Sequence, residues 1–192
     1  MVKRYRHYFR SEADGLRISV LSICPDMPPY RGILQIVHGM SEYKERYEPF
    51  MEYMAERGYM TVIHDHRGHG QSVRSGDDLG YMYGGGAEAV LKDIGTVNAE
   101  IRKKFPDLPL ILMGHSMGSL AVRAFAAEHD DCMDMLIVCG SPSNTKARIL
   151  GTALARVEGG ILGFRHRSRL IELLSFGGYA VKFRKEKNRN AW

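Results

Sequence analysis

Ser116 lies in Gly114-His115-Ser116-Met117-Gly118, a G-x-S-x-G spacing. Glycines at those positions let a serine ride a tight strand-to-helix turn, its hydroxyl clear of its neighbours and able to attack a carbonyl. The bare pattern recurs by chance in a glycine-rich chain, so context decides its meaning. Here the apolar run Leu110-Ile111-Leu112-Met113 ends at Gly114, and the small residues Gly118, Ser119 and Ala121 open a helical pattern, which relieves crowding at the turn. A second candidate is His38-Gly39-Met40, which follows another apolar run. At the C-terminal edge of a parallel sheet, a glycine there lets a backbone N–H approach a substrate oxygen. The amides of Met40 and Met117 are therefore candidate donors to a tetrahedral oxyanion. His38 by itself reads as a ring bonded to loop backbone, because it lacks the orienting acid of a triad.

The elements that must hold these residues alternate. Residues 6–10 and 16–23 read as strands of a hairpin around Ala13-Asp14-Gly15. The nearly unbroken apolar run of residues 33–37 suits a strand covered on both faces. Tyr47, Phe50, Met51 and Met54 recur at helical spacing before Gly58, predicting a helix over 46–57. Apolar residues 59–63 precede the glycine-rich loop from Asp65 to Ser72. A stripe of Ala87, Val90, Leu91, Ile94, Val97, Ile101 and Phe105 then predicts a longer helix that Pro106 ends. Residues 108–113, 117–129 and 135–139 continue as strand, helix and strand. Alternation with short links implies right-handed crossovers and a mainly parallel, doubly wound α/β sheet. Past Gly140 only helix-like stretches follow, 147–157 and 168–176. The expected division is 1–144 for the sheet and 145–192 for a helical appendage.

The 192 residues, 44 % hydrophobic and 26 % charged, favour one ordinary globular domain and exclude disordered and coiled-coil chains. No apolar run is long enough to span a bilayer, and the polar start does not suit a signal peptide, so a cytoplasmic location is expected. Cys24, Cys132 and Cys139 match neither a disulfide framework nor paired metal ligands. Neither a cofactor nor a metal is expected. The net charge of +5 sits in the tail: residues 151–192 carry nine Lys or Arg against three Glu. Arg165, Arg167 and Arg169, with Lys182, Arg184, Lys185, Lys187 and Arg189, read as a solvated face rather than a nucleic-acid site.

Taken together, His38-Gly39-Met40-Ser41-Glu42, Arg46-Tyr47, the Asp65 to Ser72 loop and Gly114 to Ser119 resemble the α/β-hydrolase superfamily. They are most similar to its monoacylglycerol lipase and lysophospholipase branch, also grouped with serine aminopeptidases. The resemblance implies Ser116 as nucleophile, Met40 and Met117 as oxyanion donors, and hydrolysis of a small lipid ester. It makes the Asp65 to Ser72 loop a brace whose Arg and His support the site, and residues from about 145 onward the start of a helical lid.

Such enzymes need an acid and then a histidine on loops after later strands. Downstream of Ser116 stand Asp130, Asp131 and Asp134, which precede the last strand, and Glu158 and His166, which fall in the presumed lid. The expectation is a chain that stops within the lid, weakly active or inactive alone, with residues 135–139 as an unprotected sheet edge. Such an edge invites self-association or a complementary chain. The rival expectation is a non-catalytic module that pairs with a second polypeptide or holds acyl chains. Contact with a membrane would be peripheral at most.

Overall fold

A computed structural model describes residues 1–143, 146–163 and 165–174. The chain falls into two compact units, Met1–Pro142 and Ser143–Trp192. In the first, β1 (Val2–Arg10) and β2 (Arg17–Pro25) form the hairpin, followed by β3 (Gly32–Val37), α1 (Glu48–Ala55), β4 (Tyr59–His64), α2 (Gly86–Lys104), β5 (Leu110–His115), α3 (Met117–Ala126) and β6 (Met135–Cys139). The strand order is β1-β2-β4-β3-β5-β6. Pairings among β4, β3, β5 and β6 are parallel, whereas β1 with β2 and β2 with β4 are antiparallel. The sheet is thus mixed, four parallel strands carrying an antiparallel hairpin on one side.

Several boundaries differ from the sequence pattern for local reasons. Strand β1 begins at Val2 rather than residue 6, because its basic residues find acidic partners on α1: Arg6 meets Glu48 at 2.8 Å and Arg4 meets Glu52. The helix expected over 46–57 starts as a 3-10 turn, Lys44–Tyr47, and becomes α-helical at Glu48. Pro49 then sits in the first turn, where its missing N–H leaves no bond unmade.

Successive residues of a strand face opposite sides of the sheet, and here both sides are covered. Leu34, Ile36 and Ile63 pack with Met51 and Ala55 of α1, while Ile33, Val37 and Leu112 pack with Ile94 and Val97 of α2 and Val122 and Phe125 of α3. All six residues of β3 are buried in consequence. Its one polar residue, Gln35, donates to the Ile94 carbonyl at 3.0 Å and accepts from Asn98 at 3.0 Å. By contrast, all five residues of β6 are exposed at the edge of the sheet.

In the second unit α4 spans Lys146–Leu162, and residues 169–174 are helical. The rest of the helix expected to residue 176, and the basic cluster Lys182 to Arg189, lie outside the described residues. Among the described residues no helix is long and apolar enough to cross a membrane.

Candidate active site

From the C-terminal end of β3 the chain turns to α1 on one face, and from the end of the adjacent β5 it turns to α3 on the other. Neighbouring parallel strands whose exits diverge leave a crevice between them, the place where open α/β sheets bind ligands. The two motifs of the sequence meet there. A Cβ built on Gly39 would stand 3.1 Å from the Ser116 Cβ.

Ser116 has φ 52° and ψ −117°, between β5 and α3. A non-glycine residue held there stores about 1–3 kcal/mol of strain, which its surroundings must support. The Ser116 N–H donates to the Cys139 carbonyl at 2.9 Å, and its carbonyl accepts the Ser119 hydroxyl at 2.5 Å. Ser141 Oγ lies 2.6 Å from Ser119 Oγ. The two glycines of the motif are there because α3 comes in too close for a side chain. A Cβ on Gly118 would lie 2.1 Å from the Val37 carbonyl oxygen, and one on Gly114 would lie 2.4 Å from the Gly118 oxygen. Met117 is the first residue of α3, so its N–H has no partner within the helix and sits at the positive end of the helix dipole.

Met40 lies in the turn after β3, its side chain half exposed. The orientation of its amide follows from His38. The His66 N–H donates to His38 Nε2 at 2.9 Å, so the His38 proton is on Nδ1 and is donated to the Gly39 carbonyl at 2.7 Å. In the described chain the cis peptide bond is at Pro28-Pro29, and the Gly39-Met40 bond is trans. In a planar trans peptide the N–H points opposite to the C=O, so the Met40 N–H is directed away from the His38 ring. Burial pushes His38 down to about 3, with His69, His64 and Lys44 adding repulsion. It is a neutral ring with both nitrogens engaged and serves as a fixture of the loop.

The Asp65 to Ser72 loop holds His38 in turn. His66 Nε2 donates to the His38 carbonyl at 3.1 Å, and the two rings meet edge to face with centroids 4.4 Å apart. The fully buried Asp65 accepts from Lys44 Nζ at 2.6 Å, from the Lys44 N–H at 2.7 Å and from the Gln71 N–H at 2.9 Å. The buried Arg67 donates to Asp93 of α2 at 2.9 Å, and to Ser11 and Asp14 of the hairpin turn. The charged residues of this loop, Asp65 and Arg67, therefore pair with neighbouring elements.

Glu42 was visible in the sequence only as part of a motif. Its Oε2 accepts from the Gly39 N–H at 2.7 Å, from the Tyr47 hydroxyl at 2.8 Å and from His115 Nδ1 at 3.3 Å. Partial burial raises its pKa, but these three donors outweigh it and hold the carboxyl below the usual range. The downstream acids stand elsewhere. Asp134 accepts from the Leu110 N–H at 2.7 Å and from Arg102, at the N-terminal end of β5. His129 packs on Phe125 near the end of α3. Among the described residues no imidazole is hydrogen-bonded to the Ser116 hydroxyl, and no group of three or more His, Cys, Asp or Glu is placed to hold a metal.

A parallel-centred sheet with a strained serine after its fifth strand, facing a glycine loop after its third, defines an α/β-hydrolase. A model of the family described as serine aminopeptidase, S33, matches residues 28–186, and the chain belongs to that family. It is 29 % identical over 148 residues to a monoacylglycerol lipase of Mycolicibacterium smegmatis, covering 73 % of this chain and 48 % of that one. It is 31 % identical over 116 residues to a monoglyceride lipase of Mus musculus, covering 60 % and 36 %. The chain thus spans less than half the length of these relatives. Among solved structures, a thermostable carboxyl esterase from Bacillus coagulans in complex with glycerol superposes with a TM-score of 0.78 at 27 % identity, over 98 % of this chain and 61 % of that one. A monoglyceride lipase of Saccharomyces cerevisiae superposes with a TM-score of 0.64 at 21 % identity, over 83 % of this chain and 52 % of that one, and shares the fold.

Proposed function

We propose that the chain carries the nucleophile and oxyanion donors of a cytoplasmic serine esterase acting on lipid esters, a monoacylglycerol or a lysophospholipid. The observation behind this reading is the strained Ser116 set opposite Gly39 in the crevice between β3 and β5. Ser116 Oγ attacks the acyl carbonyl, the oxyanion rests on the Met40 and Met117 amides, and the alcohol leaves with a proton. Water then releases the acid from the acyl-serine. The substrate class comes from the likeness to monoacylglycerol lipases. Among the described residues no base is bonded to Ser116, and a serine acting without one keeps only the share of the oxyanion hole and binding, about 10³ to 10⁴ over water. A fluorophosphonate probe should label folded wild-type chain at Ser116, at the slow rate of a serine held in an oxyanion site without a bonded base, and leave Ser116→Ala unlabelled. A folded wild-type chain that takes no label sinks the reading.

A second reading, a non-catalytic module that pairs with another polypeptide, draws on the exposure of β6, where Met135, Leu136, Ile137 and Val138 are between 37 % and 55 % exposed. It predicts that Ser116→Ala leaves affinity for such a partner unchanged.

A further inference from the structure

We infer that Glu42 is the positioning residue of this site, a carboxylate that ties the loop carrying the Met40 amide to the turn carrying Ser116. The inference rests on the proposal that Ser116 and Met40 act together on an ester.

One oxygen of Glu42 gathers donors from three places. The Gly39 N–H comes from the loop after β3, at 2.7 Å; the Tyr47 hydroxyl comes from the approach to α1, at 2.8 Å; and His115 Nδ1 comes from the last residue of β5, at 3.3 Å. Gly39 faces Ser116 across the crevice and His115 precedes it in the chain, so the carboxylate links the two sides. Its reach back to Gly39 needs a reversal of the chain at Ser41, which has φ 60°. That left-handed conformation is uncommon for serine, and the bond to Gly39 holds it.

Gly39 is consequently fixed at both ends of its backbone. Its carbonyl accepts from His38, which orients the Gly39-Met40 peptide, and its N–H donates to Glu42, which stops the residue from rotating about that bond. An amide aimed at a developing negative charge contributes to catalysis only if it is already aimed before the charge appears. The Gly39 N–H itself is spent on Glu42, which leaves the Met40 N–H as the donor of this loop. The His115 contact adds a tie that the loop's own residues cannot supply: the loop and the serine turn move together, because both are bonded to one oxygen. Charge-assisted bonds of this kind are roughly twice as strong as neutral ones.

The test compares full-length wild type, Glu42→Ala and Glu42→Gln by two measurements. Phosphonylation of Ser116 should slow by about 10²-fold in Glu42→Ala in its maximal rate, the loss typical of one oxyanion donor, with little change in the probe's binding constant. Glu42→Gln keeps an acceptor and should recover to within about tenfold of wild type. In amide NMR spectra, Glu42→Ala should shift the Met40 and His115 signals together and remove the downfield position of Gly39. A purely structural role would lower the melting temperature and leave the maximal rate of the folded fraction at its wild-type value. Wild-type phosphonylation in Glu42→Ala, or an unmoved Met40 amide, overturns the inference. If Glu42→Ala does not fold, the Glu42→Gln spectra decide instead: Met40 and His115 signals that shift together support the inference, and signals that stay at their wild-type positions overturn it. A wild-type chain that takes no label refutes Ser116 as an activated nucleophile, and the Met40 and His115 signals then decide the role of Glu42 alone.

Discussion

Strands β3 and β6 are both rich in Ile, Leu and Val and have opposite surroundings. Gly32–Val37 is buried throughout, with α1 on one face and α2 and α3 on the other, whereas every residue of Met135–Cys139 is exposed. Both are apolar runs paired in parallel with β5. An apolar run states that a strand can be covered and not that it is. Coverage is a property of the neighbours, and here it is complete on β3, partial on β5, where alternate residues are only partly buried, and missing on β6.

Equivalent truncations on the two strands should show the difference at its largest. Ile36→Ala removes a side chain that is fully buried between β4, β5 and α1, and should cost about 2–5 kcal/mol. Ile137→Ala, on the exposed strand, should cost less than about 1 kcal/mol. Urea unfolding of both variants checks the pair, and equal losses would mean that β6 is covered in solution.

Acid should act on the buried end of β3 next. His38, His64 and His66 are fully buried and held neutral, all with their pKa lowered by burial. The unfolded chain binds protons below about 6.5 that the fold refuses. Stability is therefore complete above that pH and falls as the pH drops, by about 2 kcal/mol at pH 5 for His38, whose burial pushes it down to about 3, with His64 and His66 adding to the loss in the same direction. Glu42, whose pKa is lowered, adds to the loss in the same direction at lower pH. Unfolding midpoints measured at pH 7 and pH 5 give the slope. Strand β6 contributes nothing to it, so a flat profile would mean that the rings are not sealed.

The smallest effect expected on stability is on β6 itself. Ile137→Lys should change the unfolding free energy by no more than about 0.5 kcal/mol, as at other exposed positions. It should nevertheless reduce any concentration-dependent association, since a charge on a strand edge discourages pairing. Sedimentation at two concentrations reads this directly, and unchanged association would place the contact elsewhere.

The sharp turn at Ser116 was legible because its requirements are local. A strand, a serine between two glycines and small residues at a helix start are all adjacent in sequence, and the close approach of Gly118 to Val37 explains the glycines afterwards. The parallel centre of the sheet was legible from the alternation of strands and helices. The full length of β1 was not, since its outward residues are arginines whose partners, Glu48 and Glu52, are more than forty residues away. Glu42 was hidden for the same reason: one of its three donors lies 73 residues downstream, and no spacing within the motif announces it. His38 could be read correctly as a ring bonded to backbone, but its tautomer depends on the His66 N–H, which only the packed structure supplies.

One guanidinium links parts of the molecule that would otherwise separate easily. Arg67 sends Nε to Asp93 of α2, one terminal nitrogen to Ser11 and the other to Asp14 and the Gly84 carbonyl. The hairpin of β1 and β2, the outermost element on its side of the sheet, therefore cannot peel away without taking Ser11 and Asp14 from a buried cation that Asp93 alone would then neutralise. Opening of the hairpin thereby becomes rarer than its own pairing would set, and the amide protons of β2 should exchange with solvent more slowly than those on the free edge of β1.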